Sequence, residues 1–119
     1  MSEINGLSQE ERNFAMFCHF AAFAGFIFPV LGSILAPLIL WQMKKEESGF
    51  IDHHGKEAVN FQITMLIAFS IAIFLSFLLI GIPMLFGLAI FEIIAIILAG
   101  IKANEGEYYR YPLSIRFIN

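Results

Sequence analysis

Glu92 is the one charged residue between Ala58 and Ile101, a run of 44 residues. An ionisable group deep in an apolar helix costs about 2.5–3.5 kcal/mol on insertion scales, so a functional role is the default hypothesis. It could be a proton or cation site lining a path, or a carboxylic acid hydrogen-bonded inside a helix bundle. No second acidic or basic residue lies at its depth, which favours the bundle contact, with Ser70 and Ser76 at comparable depth. His53 and Glu57 share a helical face at i,i+4, a spacing that invites a metal. Two ligands leave such a site incomplete, and no spacing brings His19 to them. A hydrogen-bond network is expected there, with no metal and no cofactor, and His19 reads as a buried hydrogen-bonding residue. Asn60, Gln62 and Thr64 continue the Asp52–Glu57 patch inward, either as an interior network or as a vestibule for a substrate or partner segment. Cys18 is the single cysteine, set on an apolar helix, which excludes an internal disulfide and argues against an activated nucleophile. The chain lacks Ser-x-x-Lys, His-Glu-x-x-His, Gly-x-Ser-x-Gly and phosphate-cradling loops, so it is expected not to be an enzyme.

The elements that must position these groups are apolar helices. Hydrophobic residues make up 59% of the chain and charged ones 14%, with a mean hydropathy of +0.78. Soluble domains sit near 45–50% and 25%. Besides the run around Glu92, the 31 residues from Asn13 to Met43 carry no Asp, Glu, Lys or Arg. About 20 apolar residues suffice to cross a bilayer. An ordinary soluble domain is excluded, and the net charge of −3 offers no field for nucleic acid. The acidic N-terminus lacks a basic stretch and a cleavage site, so no secretory signal is expected.

The expected fold is an all-α membrane protein, a single integral membrane domain over residues 1–119. Residues 1–8 are a polar leader in which Ser8 and Glu11 fit a capping box. Helices are expected over about 9–28, 33–45, 53–79 and 84–104, with an interfacial tail over 106–119. The first hairpin is short and interrupted by Pro29, Gly32 and Pro37, with Pro37 near the first turn of its helix. Ala21-x-x-x-Gly25 has the small-residue spacing of a close interhelical contact. Trp41 suits the membrane interface, where Lys44 and Lys45 could snorkel. Asp52 reads as an N-cap that also pairs with Lys56 at i,i+4. Gly81–Pro83 forms the next turn, and Glu92, Ala95 (or Ile96), Ala99 and Ala103 make a small, polar face on the last helix. In the tail, Tyr109, Tyr111, Leu113, Ile115 and Phe117 alternate with polar residues, an extended segment with one apolar face.

Four helices put all seven Lys and Arg residues on one side. The positive-inside rule makes that side cytoplasmic, with both termini inside the cell membrane. The alternative treats residues 13–43 as one long kinked span, which gives three spans and moves only Arg12 across.

Phe50-Ile51-Asp52-His53-His54-Gly55-Lys56-Glu57-Ala58-Val59-Asn60-Phe61-Gln62 resembles the signature of a widespread prokaryotic membrane family of unknown function. That family is grouped with the channel component of the chloroplast inner-envelope import machinery, and a magnetosome membrane protein is similar to it. Pro37–Trp41 with Lys44-Lys45-Glu46, and Tyr109-Arg110-Tyr111-Pro112-Leu113 with Ile115-Arg116, carry the same resemblance. It implies four helices, and a family-defining site at Asp52, His53, Gly55, Lys56, Glu57, Asn60 and Gln62 without an assigned role. The expected function is an assembly or scaffold component that associates through helices, as a homo-oligomer or in a larger membrane complex. The alternative is a small channel or transport component with Glu92 and Asn60/Gln62 lining a path.

Overall fold

The structure, a computed structural model, describes residues 6–119; the first five residues of the expected polar leader lie outside the described residues. Four α-helices follow one another: α1 (Gln9–Phe20), α2 (Leu31–Lys44), α3 (Gly49–Leu75) and α4 (Gly81–Asn104). Short 3-10 segments extend α1 over Ala21–Phe26 and α3 over Ser76–Leu78. The bundle is all-α, as expected, with α1 against both α3 and α4 and α2 against α3.

The start of α1 is set by its cap. The Ser8 hydroxyl accepts from the Glu11 amide at 3.1 Å, and the Glu11 carboxylate accepts from the Ser8 amide at 3.2 Å. Both halves of the capping box are present, so two otherwise orphaned N–H groups are satisfied. The helix does not stay α to residue 28: from Ala21 it tightens into 3-10 geometry, and the chain turns back at Ile27–Val30. Val30 adopts a positive φ of 70°. Gly25 then meets Ser33 so closely that an added Cβ would lie 2.9 Å from the Ser33 Cβ. The small residue at 25 makes the close contact within the hairpin, and one long kinked helix over 13–43 does not form. Pro37 lies in the second turn of α2 rather than its first.

α3 begins four residues before the expected His53. Its N-cap is Ser48, whose hydroxyl accepts from the Ile51 amide at 3.3 Å, so Asp52 is not the cap. Together with its 3-10 extension the helix covers Gly49–Leu78, and with α4 it is long and apolar enough to cross a membrane. The turn between them lies at Leu79 and Ile80, earlier than expected, with Leu79 at a φ of 66°. Pro83 therefore falls in the first turn of α4, where a missing N–H costs nothing.

The inward face of α4 is the expected one: Ala95, Ile96, Ala99 and Ala103 are buried. Gly100 sits under the Phe20 ring, which a Cβ would overlap. Small residues on α4 thus let α1 approach closely, the packing that replaces the hydrophobic effect in lipid. Phe61, Met65, Ala95, Ile96 and Ala99 form the main core with Ala22 and Tyr111. Ser70 and Ser76 play no part in it; their hydroxyls donate back to Leu66 and Ile73 carbonyls of their own helix.

The polar end is cross-linked by side chains. The Ser48 hydroxyl donates to the Glu11 carboxylate at 2.6 Å, and buried Arg12 donates to the Asn104 carbonyl at 2.7 Å. Lys44 lies over the Phe14 ring and Lys45 over Trp41, at 5.0 and 4.8 Å from the centroids. Trp41 itself is buried against the protein.

Candidate functional site

Several of the residues that stood out in sequence, His53, His54, Glu57, Asn60 and Thr64, converge on the tail. The segment after α4 runs back along the first four turns of α3 and makes no strand. Its main-chain groups are taken by side chains instead. Glu57 Oε1 accepts from the Tyr111 amide at 2.8 Å, Thr64 Oγ1 from the Ile115 amide at 3.0 Å, and Asn60 Oδ1 from the Ile118 amide at 2.8 Å. Asn60 Nδ2 returns a bond to the Ile118 carbonyl at 2.9 Å. Positions 57, 60 and 64 lie on one face of a helix because they are three and four apart. That spacing lets one helix bind an extended segment and satisfy main-chain groups that have no ladder partner.

The strongest contact is ionic. Arg116 donates from Nε and from Nη2 to the two oxygens of Glu57, both at 3.0 Å, and Nη2 also reaches the Tyr111 carbonyl at 3.1 Å. A planar guanidinium holding both carboxylate oxygens is the strongest geometry such a pair adopts. Arg110 stands 3.9 Å from the same carboxylate and is mostly exposed. Arg116 Nη1 donates to the Ser114 carbonyl. Leu113, at a φ of 63°, switches the side of the tail that faces α3. Past it Leu113, Ile115 and Phe117 are exposed, so the apolar face expected from period two breaks after Tyr111.

The histidines fasten the start of the tail. His54 Nε2 lies 2.7 Å from the Glu107 carbonyl, and His53 Nε2 lies 2.8 Å from the Tyr109 carbonyl. A carbonyl only accepts, so both Nε2 atoms carry hydrogen. In neutral His54 the Nδ1 is then the acceptor, and His19 Nε2–H donates to it across 2.8 Å. His19 Nδ1 in turn accepts from the Tyr111 hydroxyl at 2.7 Å. One carbonyl oxygen therefore fixes the direction of every bond from Tyr111 through His19 to His54. All three residues are buried, and Tyr111 stacks on Phe61 with ring centroids 4.0 Å apart. Burial pushes the Tyr111 phenol well above its ordinary value, so it stays protonated and keeps donating.

A model of the magnetosome magnetite crystal formation protein family matches residues 10–118. The chain belongs to that family. No curated protein and no solved structure matches it. The matched span contains every tail contact described above, from His19 to Ile118. Within this family member the motif around Asp52 has a readable geometry. Asp52 accepts from the Trp41 indole at 2.8 Å and pairs with Lys56 at 3.1 Å, tying α2 to α3. Gly55 faces the same indole, which a Cβ would overlap, so glycine is what lets Trp41 lie flat on α3. His53 and Glu57 both bind the tail. His19, which no spacing in the sequence brought to this pair, is buried beside His54 because α1 packs against α3.

The patch divides at Asn60 and Gln62. Asn60 turns to the tail, whereas Gln62 turns inward to Glu92, and Gln62 and Glu92 line a cavity between the helices. Sequence reading named Thr64 with Asn60 and Gln62 but missed Trp41, Ser48, Tyr111 and Arg116 as members of the network. Tyr111 and Arg116 were visible in the closing resemblance, but nothing in their spacing pointed to α3.

Proposed function

We propose that this family member is a multi-pass, non-enzymatic membrane component that works by helix association and presents its latched tail as a docking platform. The observation that carries this is the division of the surface. Large apolar side chains are exposed along the hairpin of α3 and α4, among them Phe74, Phe77, Leu79 and Phe86. The opposite end holds the charged loops and the tail. An exposed apolar belt of this kind suits lipid and neighbouring helices. The family's role in magnetite crystal formation makes the magnetosome membrane the natural setting. The positive-inside rule orients the polar end, with both termini, to the cytoplasm. The grouping with the plastid import channel, carried by the motif alone, is compatible with a component of an assembly.

Two measurements test this. A photoreactive residue at exposed Leu113 should crosslink a second copy or a larger complex in cells. A monomer with no crosslinked protein would overturn the association reading. With Cys18 replaced, a cysteine at Ser2 should react with an impermeant maleimide in sealed vesicles whose cytoplasmic face is outward, and one at Phe28 only after detergent. The reverse pattern would overturn the orientation. A transport reading is favoured by one observation, that Glu92 and Gln62 line the same cavity. Ion flux through proteoliposomes with wild type but not with Glu92→Ala would select it.

A further inference from the structure

Under the tip of the first hairpin, between it and the pair α3–α4, lies a cavity of about 330 Å³. That is within the range of ligand pockets, about 300–1,000 Å³. Phe23, Phe69 and Ile73 wall it with hydrocarbon, and it reaches the outer apolar surface beside Phe26 and Val30, 73% and 50% exposed. A ligand would therefore enter from the bilayer.

The inner end is polar. Gln62, 2% exposed, turns its amide nitrogen toward Glu92, yet that nitrogen has no partner in hydrogen-bonding geometry. Its neighbours on α3 are all matched: Glu57, Asn60 and Thr64 each hold a tail amide. The unmatched donor is thus confined to the cavity. A lipid tail filling the space would leave it unmatched. A single water bridging Gln62 and Glu92 would meet its minimum of two polar partners but would leave the hydrocarbon-walled remainder of the cavity unfilled. The other polar side chain on the cavity wall, the Ser33 hydroxyl, already donates to the Val30 carbonyl at 2.8 Å. A hydroxyl on the end of a hydrocarbon chain satisfies both groups at once. Its oxygen accepts from Gln62 Nε2–H, its hydrogen goes to a Glu92 carboxyl oxygen, and the chain lies against the phenylalanines.

We propose that this cavity is a binding site for a single-chain lipid amphiphile with a terminal hydroxyl, recognised by Gln62 and Glu92. The site stands on its own geometry and does not rest on the assembly reading above. The full chain in nanodiscs is exposed to a diazirine-bearing C16 alcohol or to the matching diazirine alkane, irradiated, and mapped by mass spectrometry. The alcohol should label peptides spanning 22–33 and 62–73 about tenfold more than the alkane does, since a site built around a hydroxyl rejects the analogue lacking it. Unlabelled hexadecanol should compete and hexadecane should not. Gln62→Leu should bring the two probes level. Ala89→Phe, at an exposed position on the cavity wall, should suppress labelling while leaving both polar groups in place, so the test survives if Gln62→Leu misfolds. Equal labelling of wild type by both probes, or labelling confined to outer helix faces, would overturn the proposal.

Discussion

Removing the guanidinium of Arg116 should free the tail while leaving the helices folded. Arg116 supplies two charged hydrogen bonds to Glu57, whose side chain is 6% exposed. Hydrogen bonds to charged groups contribute about 1.5–3 kcal/mol each, and stripping one partner from a buried pair costs about 3–5 kcal/mol. Three features reduce that figure here. The Arg116 side chain is 21% exposed, Arg110 stands 3.9 Å away and can move in, and the Tyr111 amide still donates to Glu57. We take about 2–3 kcal/mol for Arg116→Ala. At 1.4 kcal/mol per tenfold, the undocked tail becomes about 30- to 150-fold more populated. Amide hydrogen exchange in detergent reads this directly, because the Tyr111, Ile115 and Ile118 amides are all held by α3 side chains. Their exchange should accelerate by that factor, with amides inside α3 and α4 unchanged. Arg116→Lys should fall between, since an ammonium cannot hold both oxygens in the same fork. Unchanged exchange at the three amides in Arg116→Ala would refute the latch, as would equal acceleration throughout α4.

Three further outcomes follow from the polar end. Gly55→Ala should destabilise the fold by about 1–3 kcal/mol through overpacking against Trp41, seen as a lower melting temperature and a red-shifted tryptophan emission; an unshifted, equally stable variant would remove the steric reading of Gly55. Nitrogen NMR of the imidazoles at neutral pH should find His19 and His54 both as neutral Nε2–H tautomers, and an Nδ1–H tautomer at either would break the directed chain. The Ser48 hydroxyl and the Ser8 amide hold the Glu11 carboxyl below its ordinary 4.5. A depressed folded-state value stabilises the fold above the ordinary one, and that contribution is lost as pH falls through the folded-state value. The stability gap between wild type and Glu11→Gln should therefore close on acidification from pH 6 to 3; a gap independent of pH would show that the Ser48 contact does not depend on the charge.

Much of the helical frame was legible because its causes are local. Ser8 and Glu11 are three residues apart, so their reciprocal caps can be read from a line of text, and the same holds for the inward Ala95–Ala99–Ala103 face. Boundaries were less legible where two signals competed. Asp52 and Ser48 both cap helices well, and α3 starts at the earlier one because Asp52 is drawn to the Trp41 indole. The tail alternation was read correctly through Tyr111 and failed at Leu113, whose positive φ resets the faces. The histidine pair was legible only in part: His53 and His54 were evident as a polar site, but their partner His19 is 35 residues from His54.

By itself the sequence determined the medium and the kind of element. Long uncharged runs leave helices as the economical way to satisfy the backbone in lipid, and the interruption at Pro29 marks where the first hairpin reverses. What only the tertiary structure decided is which polar groups answer one another. Tyr111, His19, His54 and Glu107 come from three separate segments, and Gln62 parts from Asn60 because two residues on a helix differ by about 200° in direction. Hydrogen bonding depends on position and angle in space, so the motif around Asp52 became a latch for the tail and an unmatched amide facing Glu92 only once the helices were packed.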